Sequence, residues 1–151
     1  MKKPAFLLAL SAVAFSLFAQ NGGKPARKAT VPEVPVRWGT ADTSATHTVS
    51  VRDFRKLLQS RVVPAESGWQ VKGFEFIYLE KRMYEDSVGN PLLVTEYLSE
   101  YCPGDTLSQG IRTLLPERVK PADTAFISNI RLEGPGGRIG GAKRQRFVIS
   151  R

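Results

Sequence analysis

Apolar and polar residues alternate most regularly over Gln70–Tyr84, QVKGFEFIYLEKRMY, where Phe74, Phe76 and Tyr78 are interleaved with Glu75, Ile77 and Leu79. A period of two belongs to a strand, and apolar groups on both sides predict one covered on both faces, as inside a sandwich. Gly73 marks a bulge in it. Asp86–Asn90 supplies a turn and Leu92–Leu98 a return strand, which Pro103 and Gly104 interrupt. A second alternating stretch runs from Asp123 to Arg151. It places Phe126, Ile130 and Leu132 on one face and Ile127, Asn129 and Arg131 on the other. Gly134-Pro135-Gly136-Gly137 hinges it into a hairpin whose return strand is about Arg144–Ser150.

Between these strands the period changes. Ser50 followed by Asp53 has the spacing of a capping box, and Phe54, Leu57 and Leu58 share a helical face behind it, which predicts a short helix over about Val51–Ser60. Leu107, Ile111, Leu114 and Leu115 repeat at helical spacing after Asp105 or Thr106 as cap, with Gly110 weakening the turn between them. Thr46–Val49 forms a short strand ahead of the first helix, and Pro64 with Glu66-Ser67-Gly68 breaks the chain after it. Strands interrupted by two short helices, without regular strand–helix alternation, argue for a mainly β, antiparallel sandwich and against a doubly wound parallel sheet.

The N-terminal region follows a different pattern. Lys2 and Lys3 precede the apolar run Ala5–Ala19, and Gln-Asn-Gly-Gly follows. That is the layout of a secretory signal peptide over residues 1–19, cleaved after Ala19. The run is shorter than the roughly 20 apolar residues a membrane-crossing helix needs. Residues 20–45, with their prolines and glycines and little regularly spaced apolar surface, read as a flexible linker or arm. Trp38 is the exception, read as a contact that tacks the arm onto a domain spanning 46–151.

The full chain of 151 residues has 22 basic and 14 acidic side chains, a net charge of +8. Cleavage would remove Lys2 and Lys3 and leave +6. In an exported protein this balance favours acidic envelope partners over nucleic acid. Cys102 is the single cysteine, so no internal disulfide is available and the fold must be held by its core. His47 is the single histidine, too few ligands for a structural zinc site. Gly134, Gly136, Gly137, Gly140 and Gly141 resemble a phosphate cradle in composition but lead into no helix, so they read as hairpin residues. No cofactor or catalytic residue is indicated. Glu75, Glu80, Glu85, Asp86, Glu96 and Glu100 are numerous enough to contain a hydrolase pair, though as strand residues they are ordinary. The basic residues Arg138, Lys143, Arg144 and Arg146, with Arg151, form either an electrostatic patch for an acidic partner or a charged edge that discourages sheet addition. Trp38, Trp69 and Tyr78 supply the alternative of stacking platforms in a carbohydrate- or peptidoglycan-binding module.

The C-terminal half resembles the last domain of the GldM (PorM) family of gliding motility and type IX secretion. The likeness lies in the helix-like Asp105–Leu115, the strand carrying Ile127–Leu132, Ile130 with Gly134, Pro135 and Gly137, and the closing Arg146-Phe147-Val148-Ile149. Ser50–Leu58 followed by the Gln70–Leu79 strand also resembles that domain's opening, so the likeness covers about 46–151. It implies an immunoglobulin-like β-sandwich in a periplasmic, dimer-forming, non-enzymatic scaffold that contacts other envelope proteins. In that family a retained membrane helix couples to an inner-membrane motor partner. The cleavable start seen here departs from it and leaves no membrane span in the mature chain.

Overall fold

Val34, Val36 and Trp38 occupy every second position, and in the computed structural model, which describes residues 30–151, all three are buried. Eight strands form: β1 (Val36–Trp38), β2 (Thr46–Ser50), β3 (Val62–Pro64), β4 (Gln70–Glu85), β5 (Pro91–Pro103), β6 (Thr124–Glu133), β7 (Ile139–Ala142) and β8 (Gln145–Ser150). Helix α1 (Val51–Leu58) follows β2, and α2 (Gln109–Leu114) lies between β5 and β6. The main sheet has the order β2-β8-β6-β4-β5, with β7 continuing the line of β8 beside β6, and β1 pairs with β3 in a second, two-stranded sheet. Every pairing is antiparallel except β2 with β8, which is parallel.

The protein is therefore a mainly β, antiparallel-rich sandwich with two short helices and unequal halves. Trp38 of the small sheet joins them. Its ring meets Phe54 of α1 and Phe76 and Phe147 of the main sheet edge to face, at 5.8, 6.0 and 5.0 Å between centroids. Aromatic edges in contact with aromatic faces add to the burial itself. Phe74, Tyr78, Ile127 and Ile149 from the main sheet and Leu58, Ile111 and Leu115 from the helical side complete one core.

Residues 30–45 correct the expected linker. The segment is tied down by Val34 N–H donating to Gly141 O (2.8 Å), Gly141 N–H to Pro32 O (3.0 Å) and Gln145 Nε2 to Val36 O (2.8 Å). Its prolines suggested an arm, but Val34, Val36 and Trp38 keep strand periodicity between them, and burying three apolar side chains outweighs the missing backbone donors. Packing thus begins at Val34, ahead of the expected boundary at Thr46. The expected signal peptide over 1–19 and the linker residues 20–29 lie outside the described residues.

Three local expectations also change. Asn129 adopts a positive φ of 49°, and between Gly73 and Glu75 of β4 the register on β6 runs from Arg131 to Ser128, one residue further than on β4. This bulge inverts the alternation, so Ile127 and Ile130 both point into the core while Phe126 points away from it. On β4 the face of Phe74, Phe76 and Tyr78 is buried, but Glu75, Ile77 and Leu79 are only half-buried, so the strand is covered on one side. Helix α2 is capped by Ser108, whose Oγ accepts from Ile111 N–H (3.3 Å), and is shorter than the pattern suggested, with Leu114 exposed. By contrast, Ser50 Oγ accepts from Asp53 N–H (3.1 Å) and donates to its carboxylate (2.9 Å), which starts α1 at the expected place. The terminal glycine-bearing segment closes on itself as a hairpin, with Gly136 and Gly137 at φ 69° and 77° in the turn.

Candidate functional site

The uncovered side of the main sheet is built from ladder positions. One row across it reads Tyr97, Leu79, Thr124, Val148 and Thr48, and the next reads Ser99, Ile77, Phe126, Arg146 and Thr46. The centre of this outer face is apolar, and no described element lies over it. At one end Glu75 accepts from Ser99 Oγ (3.0 Å), Ser128 Oγ (3.2 Å) and Asn129 Nδ2 (2.7 Å), beside an open depression of about 520 Å³ that also involves Tyr101 and Arg131. The bulge at Asn129 is what brings its amide to that carboxylate.

The four basic residues separate into two groups. Arg146 projects from β8 opposite Phe126, and the Arg144 guanidinium lies 3.8 Å over the Phe126 ring. A cation on an aromatic face is a stable pairing that leaves much of the charge available. Neither arginine has a carboxylate within ion-pair distance among the described residues. Lys143 instead pairs with Glu33 at 3.1 Å, and Arg138 lies 5.9 Å over Trp69 on the hairpin. The structure thus brings Arg144 and Arg146 together on the outer face and places Arg138 and Lys143 elsewhere.

The stacking platform of Trp38, Trp69 and Tyr78 does not form. Trp38 and Tyr78 are fully buried core residues, and Trp69 packs against Gly134 and Gly140. The acidic residues do form a cluster that sequence reasoning missed. Glu80 is 5% exposed and opposite Glu96 in the β4–β5 ladder, which sets like charges side by side. Arg82, Arg118 and Lys120 neutralise them, with Arg82 Nε at 3.1 Å from both carboxylates and Lys120 Nζ at 3.1 Å from Glu80. Burial pushes the Glu80 carboxyl upward, but the hydrogen bonds from the three cations overcome it and hold the group down at about 2. A general acid needs the opposite shift, so Glu80 is not poised as one, and the small cleft beside Glu80 and Glu96 is lined by this charged cluster. Arg118 and Lys120 are far from Glu80 in sequence, which is why no motif announces the cluster.

Asp123 is a second buried hub. Its carboxylate accepts from the Tyr78 hydroxyl, from Lys81 N–H (3.0 Å) and from Lys120 N–H (3.1 Å). Burial and then the Asp123 hydrogen bond push the Tyr78 hydroxyl well above the ordinary phenol range. Cys102 is fully buried and burial raises its thiol, consistent with a core filler. His47 is mostly buried, stacked on Phe147 at 4.7 Å and 3.7 Å from Asp42. Among the described residues no cluster of His, Cys, Asp or Glu is arranged to hold a metal, and no helix is long and apolar enough to cross a membrane. Neither a scan of protein-family models nor a search of curated proteins gave a match to this chain.

Proposed function

We propose that this chain is an exported, non-enzymatic envelope protein that holds another envelope protein against the outer face of its main sheet, as an accessory to gliding motility or type IX secretion. The observation that carries the reading is that face: an apolar centre of Ile77, Leu79, Phe126 and Val148, flanked by Arg144 and Arg146, which have no partnering carboxylate among the described residues. Apolar groups at the centre with cations at the rim suit an acidic-rimmed protein surface, the apolar area contributing affinity and the charges steering association. The periplasmic setting rests on the secretory layout of residues 1–19, and the motility or secretion role on the resemblance to the GldM family. A photo-crosslinking side chain at Val148, introduced in intact cells, tests the proposal. Crosslinks to an envelope protein that disappear with Arg144→Glu and Arg146→Glu support it. Crosslinks that are absent, or that survive both reversals, overturn the docking face.

A further inference from the structure

Strand β5 closes the main sheet on one side, pairing only with β4 among the described residues. Its backbone phase is fixed at both ends of the hairpin. Asp86 N–H donates to Asn90 O (2.9 Å), and Gly104 N–H donates to Lys72 O (3.0 Å). Even-numbered residues of β5 therefore exchange hydrogen bonds with β4. Odd-numbered ones, Leu93, Thr95, Tyr97, Ser99 and Tyr101, direct N–H and C=O to the open side. That row ends at a proline in each direction, Pro91 and Pro103, and its midpoint is Tyr97.

We propose that the open edge of β5 pairs antiparallel with the β5 of a second copy, about a twofold axis through Tyr97. This register sets Tyr97 beside its symmetry mate, Thr95 opposite Ser99 and Leu93 opposite Tyr101. Both ladders then end where proline has no donor to offer. Charge selects the same register. With Tyr97 on the axis, Glu96 faces Leu98 and Glu100 faces Val94. Moving the axis one residue, to Glu96 or Leu98, sets two carboxylates directly opposite each other, which is destabilising. Moving it by two residues avoids that conflict but shortens the ladder. Exposure also fits: Leu93, Tyr97 and Tyr101 are 59%, 68% and 52% exposed, and pairing would cover much of that surface. A long, flat apolar edge without such a partner invites uncontrolled strand addition. The pairing joins two outer faces into one continuous surface and does not depend on what that surface binds.

Cysteine substitution tests the register in the full-length protein, with Cys102→Ala as background. Opposed residues in a hydrogen-bonded antiparallel pair have Cα atoms about 5.5 Å apart, within disulfide reach. Tyr97→Cys should give a covalent dimer on mild oxidation. Thr95→Cys alone should not, because its mate is displaced by about four residues or roughly 14 Å, whereas Thr95→Cys with Ser99→Cys should. Thr95→Pro removes an outward N–H without touching the β4 ladder. It should halve the mass measured by light scattering while leaving the circular dichroism spectrum unchanged. A parent protein that is monomeric at 100 µM by the same measurement overturns the proposal. So does a dimer that persists in Thr95→Pro, or one that crosslinks equally at Thr95 and Tyr97.

Discussion

Replacing Asp123 by alanine removes the one acceptor shared by the Tyr78 hydroxyl and the N–H groups of Lys81 and Lys120. Asp123 itself is fully buried, so water cannot substitute without opening the junction between β4 and the start of β6. Each donor left buried without a partner costs about 1–3 kcal/mol. Partial access of water near Lys120 brings the sum to about 3–6 kcal/mol, against a total of about 5–15 kcal/mol for a domain of this size. With a urea slope of about 1–3 kcal/mol/M, the midpoint should fall by about 1–6 M. Intrinsic fluorescence, to which buried Trp38 contributes, follows the transition. A double-mutant cycle isolates the cause. Tyr78→Phe should cost about 1–2 kcal/mol in the parent and almost nothing beside Asp123→Ala, because the acceptor has already gone. An Asp123→Ala loss below 1 kcal/mol, or a Tyr78→Phe cost equal in the two backgrounds, would refute the hub.

Glu80 gives a pH signature. Its folded value of about 2 lies below its ordinary 4.5, so its stabilising contribution is complete above about pH 4.5 and is lost as pH falls toward 2. Because the paired cations are half exposed, the contribution is about 1–3 kcal/mol. Urea midpoints measured from pH 6 to pH 2 should fall less steeply in Glu80→Gln; an unchanged slope excludes Glu80 as the source. A Cβ on Gly140 would sit 2.5 Å from the Trp69 ring, so Gly140→Ala should cost about 1–3 kcal/mol by thermal melting, whereas a neutral result would mean the ring moves freely. Cys102 should resist a thiol reagent in the native protein and react fully in denaturant, and rapid native labelling would contradict its burial.

The strands that carry the sheet were legible because β4 and β6 are long enough for a period of two to repeat several times. What failed was parity. Placing Phe126 with Ile130 required an unbroken strand, and the extra residue at Asn129 is set by pairing with β4, which no local pattern reveals. The small sheet was missed because β1 and β3 are three residues each, too short for periodicity to stand out from a loop. Trp38 was recognised as a packing contact, yet not as the contact that joins the two halves. At the candidate site, clustering in sequence grouped four basic residues. The turn at Gly134–Gly137 and the break between β7 and β8 send Arg138 and Lys143 away from Arg144 and Arg146. Glu80 was one carboxylate among many, since two of its three cations, Arg118 and Lys120, reach it only after the chain returns from α2.

The parallel pairing of β2 with β8 bears on the order in which the molecule assembles. β8 lies between β2 and β6, so residues 145–150 supply the one partner of β2 among the described residues and place Phe147 and Ile149 in the core. A nascent polypeptide that stops short of Gln145 cannot complete either side of that seam. Because so much of the native pairing is remote in sequence, formation is expected in milliseconds to seconds rather than microseconds. Until residues 145–150 are free to fold, β2 has no ladder to join among the described residues and β6 lacks its partner over Thr124–Ile127, although the β4–β5 and β4–β6 ladders can already form.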